Sequence, residues 1–232
     1  MKDINDVFFF IQARLNSERV PNKMLRPFAE TTLMDIAINK ILSSELIPKD
    51  NFYLCVGDKK LIELGEKYIL NIFKRSHKSI NEEYNLKSLF EWYEFAKDRY
   101  KYAVMINACC PFLTVNTVEE FVKTYLENEQ DGLFSVIKKK NFFMDKEGIM
   151  LNSWSSETEF TNTKLVEPLY EAAHCIGASS IKSIENNIWL GTFKKPNDPV
   201  MFEVKEEESL DIDYEWQFKL LESYYKREKN IY

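Results

Sequence analysis

The chain has 232 residues and is 45% hydrophobic, enough for one α/β domain with a full core and too apolar for a disordered one. Its formal net charge of −6 argues against a general duplex-DNA binder, because neutralising a phosphate backbone needs a surplus of Lys and Arg. The longest apolar runs, such as residues 7–11, fall far short of the roughly 20 residues of a membrane span, and the opening MKDINDV has no apolar signal-peptide core. Cys55, Cys109, Cys110 and Cys175 show neither CxxC spacing nor His pairing, so no zinc site or disulfide framework is indicated; reduced thiols and a cytoplasmic location are expected.

Residues 7–12 (VFFFIQ) form an apolar run without alternation, as expected of a strand buried on both faces of a parallel sheet. A charged loop follows over residues 14–23. Residues 32–43 then show helical periodicity, with Thr31 or Thr32 as N-cap. A strand over 51–56 ends at Gly57-Asp58; a helix is predicted over 61–68, a short strand over 70–73 and an amphipathic helix over 86–100. Residues 102–106 (YAVMI) read as a second fully apolar strand, followed by a helix over 115–127 and a strand over 132–137.

This strand–helix alternation predicts an α/β fold with a doubly wound, mainly parallel sheet, because parallel strands need crossovers and helices supply them. Residues 138–175 break the rhythm with a polar, turn-rich stretch carrying aromatics, which reads as an inserted hairpin or arm. Regular structure resumes over 175–181, 201–204 and a last helix over 214–227, so residues 1–232 read as one domain.

In such sheets ligands bind at the carboxyl ends of the strands, which directs attention to residues 14–23 and 107–112. The first of these, within Ala13-Arg14-Leu15-Asn16-Ser17-Glu18-Arg19-Val20-Pro21-Asn22-Lys23-Met24-Leu25, puts three cations and a Ser within ten residues. Such a loop can aim guanidinium, ammonium and backbone N–H groups at one polyphosphate; the bare composition also admits a solvated basic turn. Near the other end, Asp211 and Asp213 stand two apart before the last helix. In extended chain both carboxylates face one way and could share a Mg²⁺ ion; alternatively Asp213 simply caps the helix. Arg75 follows the 70–73 strand as a lone arginine. Cys109 and Cys110 read as small buried residues, and His77 and His174 as structural or exposed.

ARLNSERVPNKML resembles the A-R-x-x-S-x-R-x-P-x-K-x-L signature of CMP-Kdo synthetases and the related motif of CMP-sialic acid synthetases. Gln12, where better-known members carry Pro, is similar to the spore-coat polysaccharide branch of the acylneuraminate cytidylyltransferases. Asp211-Ile212-Asp213, with Gln217 and Phe218 beyond, resembles the metal-binding C-terminal signature of the sialic acid branch. The resemblance implies a nucleotide-diphospho-sugar transferase-like fold and an enzyme that transfers CMP from CTP to an acidic sugar with release of pyrophosphate, for surface glycan synthesis. It implies Arg14, Lys23, Asp211 and Asp213 as catalytic residues, with Mg²⁺ on Asp211 and Asp213. Nucleotide contacts would come from Ala13, Arg14, Asn16, Ser17, Arg19, Lys23, Arg75 and Asn107. A homodimer built on residues 141–172 is also implied, through Phe142, Phe143, Trp154 and Phe160.

The chain departs from the family pattern at Cys109-Cys110, which replace a usual Thr-Ser, and after Gly177-Ala178, where the usual Tyr is missing. It has no arginine between Arg99 and Arg227 for a sugar carboxylate, leaving Lys138, Lys139, Lys140 or Lys164 as substitutes. A glycosyltransferase that uses a nucleotide-sugar, a binding-only relative, and a non-sialic or phosphorylated acceptor are the rival readings.

Overall fold

The computed structural model describes residues 1–82, 84–153 and 162–231. In chain order its elements are β1 (Val7–Gln12), β2 (Pro27–Phe28), β3 (Thr31–Thr32), α1 (Leu33–Leu42), β4 (Phe52–Val56), α2 (Lys59–Lys67) and β5 (Asn71–Lys74). There follow α3 (His77–Ile80), α4 (Leu86–Leu89), α5 (Tyr93–Ala96), β6 (Tyr102–Ile106), α6 (Val115–Glu127) and β7 (Leu133–Lys139). The chain ends with β8 (Leu169–Ser180), β9 (Val200–Glu203) and α7 (Glu215–Glu228).

Seven strands form one sheet in the order β5-β4-β1-β6-β8-β7-β9. All its pairings are parallel except those of β8, which runs antiparallel to both β6 and β7. The helices α1, α2 and α6 make the crossovers. The lack of alternation in β1 has a direct cause: Val7, Phe9 and Ile11 face a core shared with α1, α2, α6 and α7, while Phe8 and Phe10 face a second core with Trp92, Tyr93 and Ile184. Every residue from Val7 to Ile11 is fully buried. No helix among the described residues is long and apolar enough to cross a membrane.

The helix expected over residues 86–100 is broken into α4 and α5. A continuous helix would give the Leu89 carbonyl to the Tyr93 N–H. That N–H bonds Phe90 O instead, at 2.7 Å. The Leu89 carbonyl takes side-chain donors from Gln12 (3.3 Å), Ser79 (3.0 Å) and Arg75 (3.4 Å). The break lets Trp92 turn inward and pack on Phe8 and Phe10, with ring centroids 4.8 and 4.7 Å away. The expected strand over 175–181 is the second half of the longer β8. Its pairing with β7 shifts register between Phe134 and Val136, and His174 adopts a positive φ of 52° near that irregularity.

Of the expected arm, residues 141–153 turn back on themselves through an antiparallel bridge between Met144 and Met150, with Gly148 at φ 83° in the turn. Trp154 and Phe160 lie outside the described residues.

Candidate active site

The carboxyl ends of β1, β5 and β6 open into a cleft of about 540 Å³. Ala13, Arg14, Ser17, Arg19 and Lys23 line it from the loop after β1, Arg75 from the end of β5, and Asn107 and Cys109 from the turn after β6. The loop is a fixed turn rather than a solvated excursion. Leu15 N–H donates to the Asp58 carboxylate (3.0 Å), Ser17 and Asn22 N–H return to Leu15 O (2.9 and 3.3 Å), and Val20 and Met24 are buried. Asn22 carries the positive φ of 56° that the turn needs, a conformation Asn tolerates well. Asp58, unassigned from sequence, is thus the anchor of the loop.

The two signature segments meet. Arg19 Nη2 lies 2.7 Å from Asp213 Oδ1, and Lys23 Nζ lies 2.5 Å from Ile212 O and 3.7 Å from Asp213 Oδ1. Asp211 is joined from the other side, where Asn107 Nδ2 reaches its Oδ2 at 3.5 Å and His174 O at 3.1 Å. Ile212 is buried between the two partly buried aspartates, and both aspartates line one pocket. Asp213 does not cap α7. Tyr214 is the N-cap, and Gln217 Oε1 accepts the N–H groups of Asp213 (2.7 Å) and Tyr214 (2.8 Å), leaving the Asp213 carboxylate to the cations.

Burial pushes the Asp211 carboxyl above the usual aspartate range, and Asp213 adds to this while Lys23 opposes it. Its Oδ1 is buried and meets no donor among the described residues. Such an oxygen favours a cation. No third His, Cys, Asp or Glu joins the pair among the described residues, and two carboxylates suit Mg²⁺, which takes its remaining ligands from phosphate and water. Asp211 and Asp213 do not line the cleft after β1. They line an adjoining one of about 420 Å³ with Lys139, His174, Trp216 and Gln217.

Other residues expected at the nucleotide are also engaged with protein. Asn16 lies outside the cleft lining and donates to Asn81 Oδ1 at 3.2 Å. Arg75 lines the cleft but is buried. Its Nε donates to Ser79 Oγ (3.0 Å) and its Nη2 to Ser79 O (2.6 Å), which organises the segment from α3 to α4. Arg14 Nη1 reaches Ile80 O in the same segment (2.9 Å), and the Ala13 N–H goes to Cys55 O (3.3 Å). Burial pushes the Cys109 thiol up to about 12 and raises Cys110 and Cys175 as well, so these groups are thiols at neutral pH and not nucleophiles.

The chain is similar to several known proteins. Over 87 residues the chain is 30% identical to the spore coat polysaccharide biosynthesis protein SpsF of Bacillus subtilis (strain 168), a match covering 35% of this chain and 36% of that protein. The chain therefore aligns with only about a third of that relative's length. Among solved structures, a CMP:2-keto-3-deoxy-manno-octonic acid synthetase complexed with CTP superposes with a TM-score of 0.67 at 11% identity, over 96% of this chain and 99% of that one. A 4-diphosphocytidyl-2C-methyl-D-erythritol synthase from Anaerococcus prevotii gives 0.65 at 15% identity, over 97% of both chains. A cytidylyltransferase from Leptospira borgpetersenii gives 0.59 at 17%, over 94% of this chain and 85% of that one. At these identities the solved structures show a shared fold. The family model for cytidylyltransferases matches residues 8–186, a span that runs from β1 and the cationic loop through most of the sheet, and this chain belongs to that family.

Proposed function

We propose that the protein transfers the cytidylyl group of CTP to an acidic sugar, of the sialic or other ulosonic acid kind, releasing pyrophosphate and supplying a CMP-sugar for surface glycans. The observation that carries this reading is the junction of the cationic turn with the aspartate pair, through Arg19 and Lys23 on Asp213. The polysaccharide role in the name of the Bacillus relative and the CTP complex of a structural neighbour support the same substrates.

Arg14, Ser17, Arg19 and Lys23 hold the triphosphate. Arg19 is half exposed and turns from Asp213 to a phosphate oxygen when nucleotide enters. Asp211 and Asp213 would hold Mg²⁺, which neutralises charge developing on the phosphate oxygens. The acceptor hydroxyl attacks the α-phosphorus, and the bond to pyrophosphate breaks opposite it. Fixed cations around the phosphates stabilise the charge that accumulates, so positioning and electrostatics carry the step without a strong general base. The adjoining pocket, which shares Asp211 and Asp213, receives the sugar acid. Of the four lysines the sequence offers for its carboxylate, Lys139 alone lines that pocket, paired with Glu206 and Glu171.

Asp211→Ala is expected to lower pyrophosphate release by about 10²-fold or more with the fold intact; near-normal turnover in a folded variant removes the metal assignment. A homodimer is part of the proposal. Met144, Ile149, Leu151 and Leu165 are exposed apolar side chains on or beside the arm over 141–172, and a second copy would cover them. Light scattering that finds a monomer at micromolar concentration would refute it.

A further inference from the structure

The pocket that holds Asp211 and Asp213 has a second wall, built by α7. That helix turns Phe218 and Leu221 into the core, where Phe218 packs on Phe28 with ring centroids 5.3 Å apart. Trp216 and Leu220 stand one turn apart on α7, line the pocket, and are 63% and 58% exposed. A single exposed apolar side chain needs no explanation. These two differ in their place: Trp216 follows Asp213 by three residues and lines the same concave surface. Among the described residues the indole makes no hydrogen bond and no ring contact, so its face is open. Gln217 Oε1 accepts the N–H groups of Asp213 and Tyr214, at 2.7 and 2.8 Å, and so holds the first turn of α7 to the aspartate segment. Trp216 is thereby carried beside the proposed cation.

Charge narrows what this wall can receive. Lys139 is the one Lys or Arg in the pocket lining among the described residues, and it is ion-paired with Glu206 and Glu171. Those two and the aspartates leave the lining negative by one charge even with a divalent cation bound and His174 neutral. A phosphate monoester, carrying about −1.5 to −2, meets net repulsion there, whereas a single carboxylate can share the Lys139 ammonium or the cation. An acceptor with so little charge to be gripped by needs apolar contact. A pyranose ring presents a face of C–H groups, and the indole face carries the negative side of the aromatic quadrupole, so the two attract as they exclude water. The pocket, at about 420 Å³, is within the roughly 300–1,000 Å³ usual for a small-molecule site.

We propose that Trp216 is the platform of the acceptor subsite: its indole takes the C–H face of the sugar ring, holds the attacking hydroxyl toward the α-phosphorus, and favours an unphosphorylated ring acid. This role rests on the proposed transfer reaction and names the residue that positions its acceptor. Leu220 extends the same wall.

The test measures pyrophosphate release with CTP and Mg²⁺ for wild type, Trp216→Phe and Trp216→Ala. The acceptor is N-acetylneuraminic acid or Kdo, whichever wild type uses faster, and then the same acid as the phosphate monoester of its terminal hydroxyl. Trp216→Ala is expected to lower kcat/KM for the acid about tenfold while the KM for CTP stays within about twofold, and Trp216→Phe to keep most of the wild-type value. Wild type should use the phosphate ester at least about tenfold less well than the acid. Unchanged kcat/KM for the acid in Trp216→Ala, or an equal rise in KM for acid and CTP, overturns the assignment. So does a phosphate ester that serves as well as the free acid. If wild type binds CTP by calorimetry yet releases pyrophosphate with neither acid, the transfer reading falls and the platform with it. Normal transfer in both wild type and Trp216→Ala removes Trp216 alone.

Discussion

Lys40 sits on α1, almost wholly buried, with its Nζ on Cys110 O at 3.0 Å. Removal from water brings its pKa down from the usual 10.5 to about 8, offset only in part by Cys110, Cys175 and Glu208. At neutral pH the folded chain therefore holds a buried ammonium against a cost of about 3 kcal/mol. Between pH 8 and 10.5 the unfolded chain keeps its proton while the folded one has lost it, so this residue's contribution to stability rises with pH in that window. About 2.5 kcal/mol of the cost is recovered between pH 7 and pH 10. Lys40→Met removes the titration. Cys110 O retains the Leu113 N–H at 3.4 Å, so the carbonyl is not orphaned. Urea unfolding at steps from pH 7 to pH 10 should show wild type gaining about 2–3 kcal/mol on Lys40→Met, with the variant the more stable at pH 7. A difference flat across that range, or one in which wild type loses ground as pH rises, refutes the burial argument.

Two further outcomes follow from local geometry. Ile69, at the C-terminus of α2, is β-branched, 92% exposed and held at φ 56°. Its N–H and that of Leu70 return to Glu66 O and Gly65 O in the manner of a glycine-terminated helix. Ile69→Gly should therefore stabilise by about 1 kcal/mol and raise Tm by about 2–4 °C, and an unchanged or lower Tm in a thermal scan counts against the strain. Gln217→Ala removes the acceptor that fixes the N–H groups of Asp213 and Tyr214. It should cost about 1 kcal/mol of stability, and by loosening Asp213 lower turnover about tenfold. Stability lost without turnover would place Gln217 in helix capping alone.

Much of the frame was legible because it depends on local pattern. The apolar run of β1 marks a strand buried on both faces, α6 spans the expected residues 115–127, and Thr32 caps α1 through a bond to the Asp35 N–H. What stayed hidden depends on contacts between distant residues. Periodicity cannot show that Leu89 O is claimed by Gln12, Ser79 and Arg75, which breaks the expected helix. Nor can it show that β8 inserts antiparallel between β6 and β7. At the candidate site the loop cations and the spacing of Asp211 and Asp213 could be read directly. The supports could not: Asp58 on Leu15, Gln217 on Asp213 and Asn107 on Asp211 span 43, 4 and 104 positions, and the shortest of these replaced the capping role that Asp213 alone suggested. Arg75 shows the reverse failure, since a cation that looks available in sequence is largely committed to Ser79.

The account stands or falls on CTP-dependent transfer. Incubation of the protein with CTP, Mg²⁺ and a panel of sugar acids, with pyrophosphate measured, should give release only when both CTP and a suitable acid are present. The same release should be lost in Lys23→Met, whose ammonium bridges the turn to the aspartate segment. Release that persists in that variant, or a complete lack of release from CTP across the panel, contradicts it.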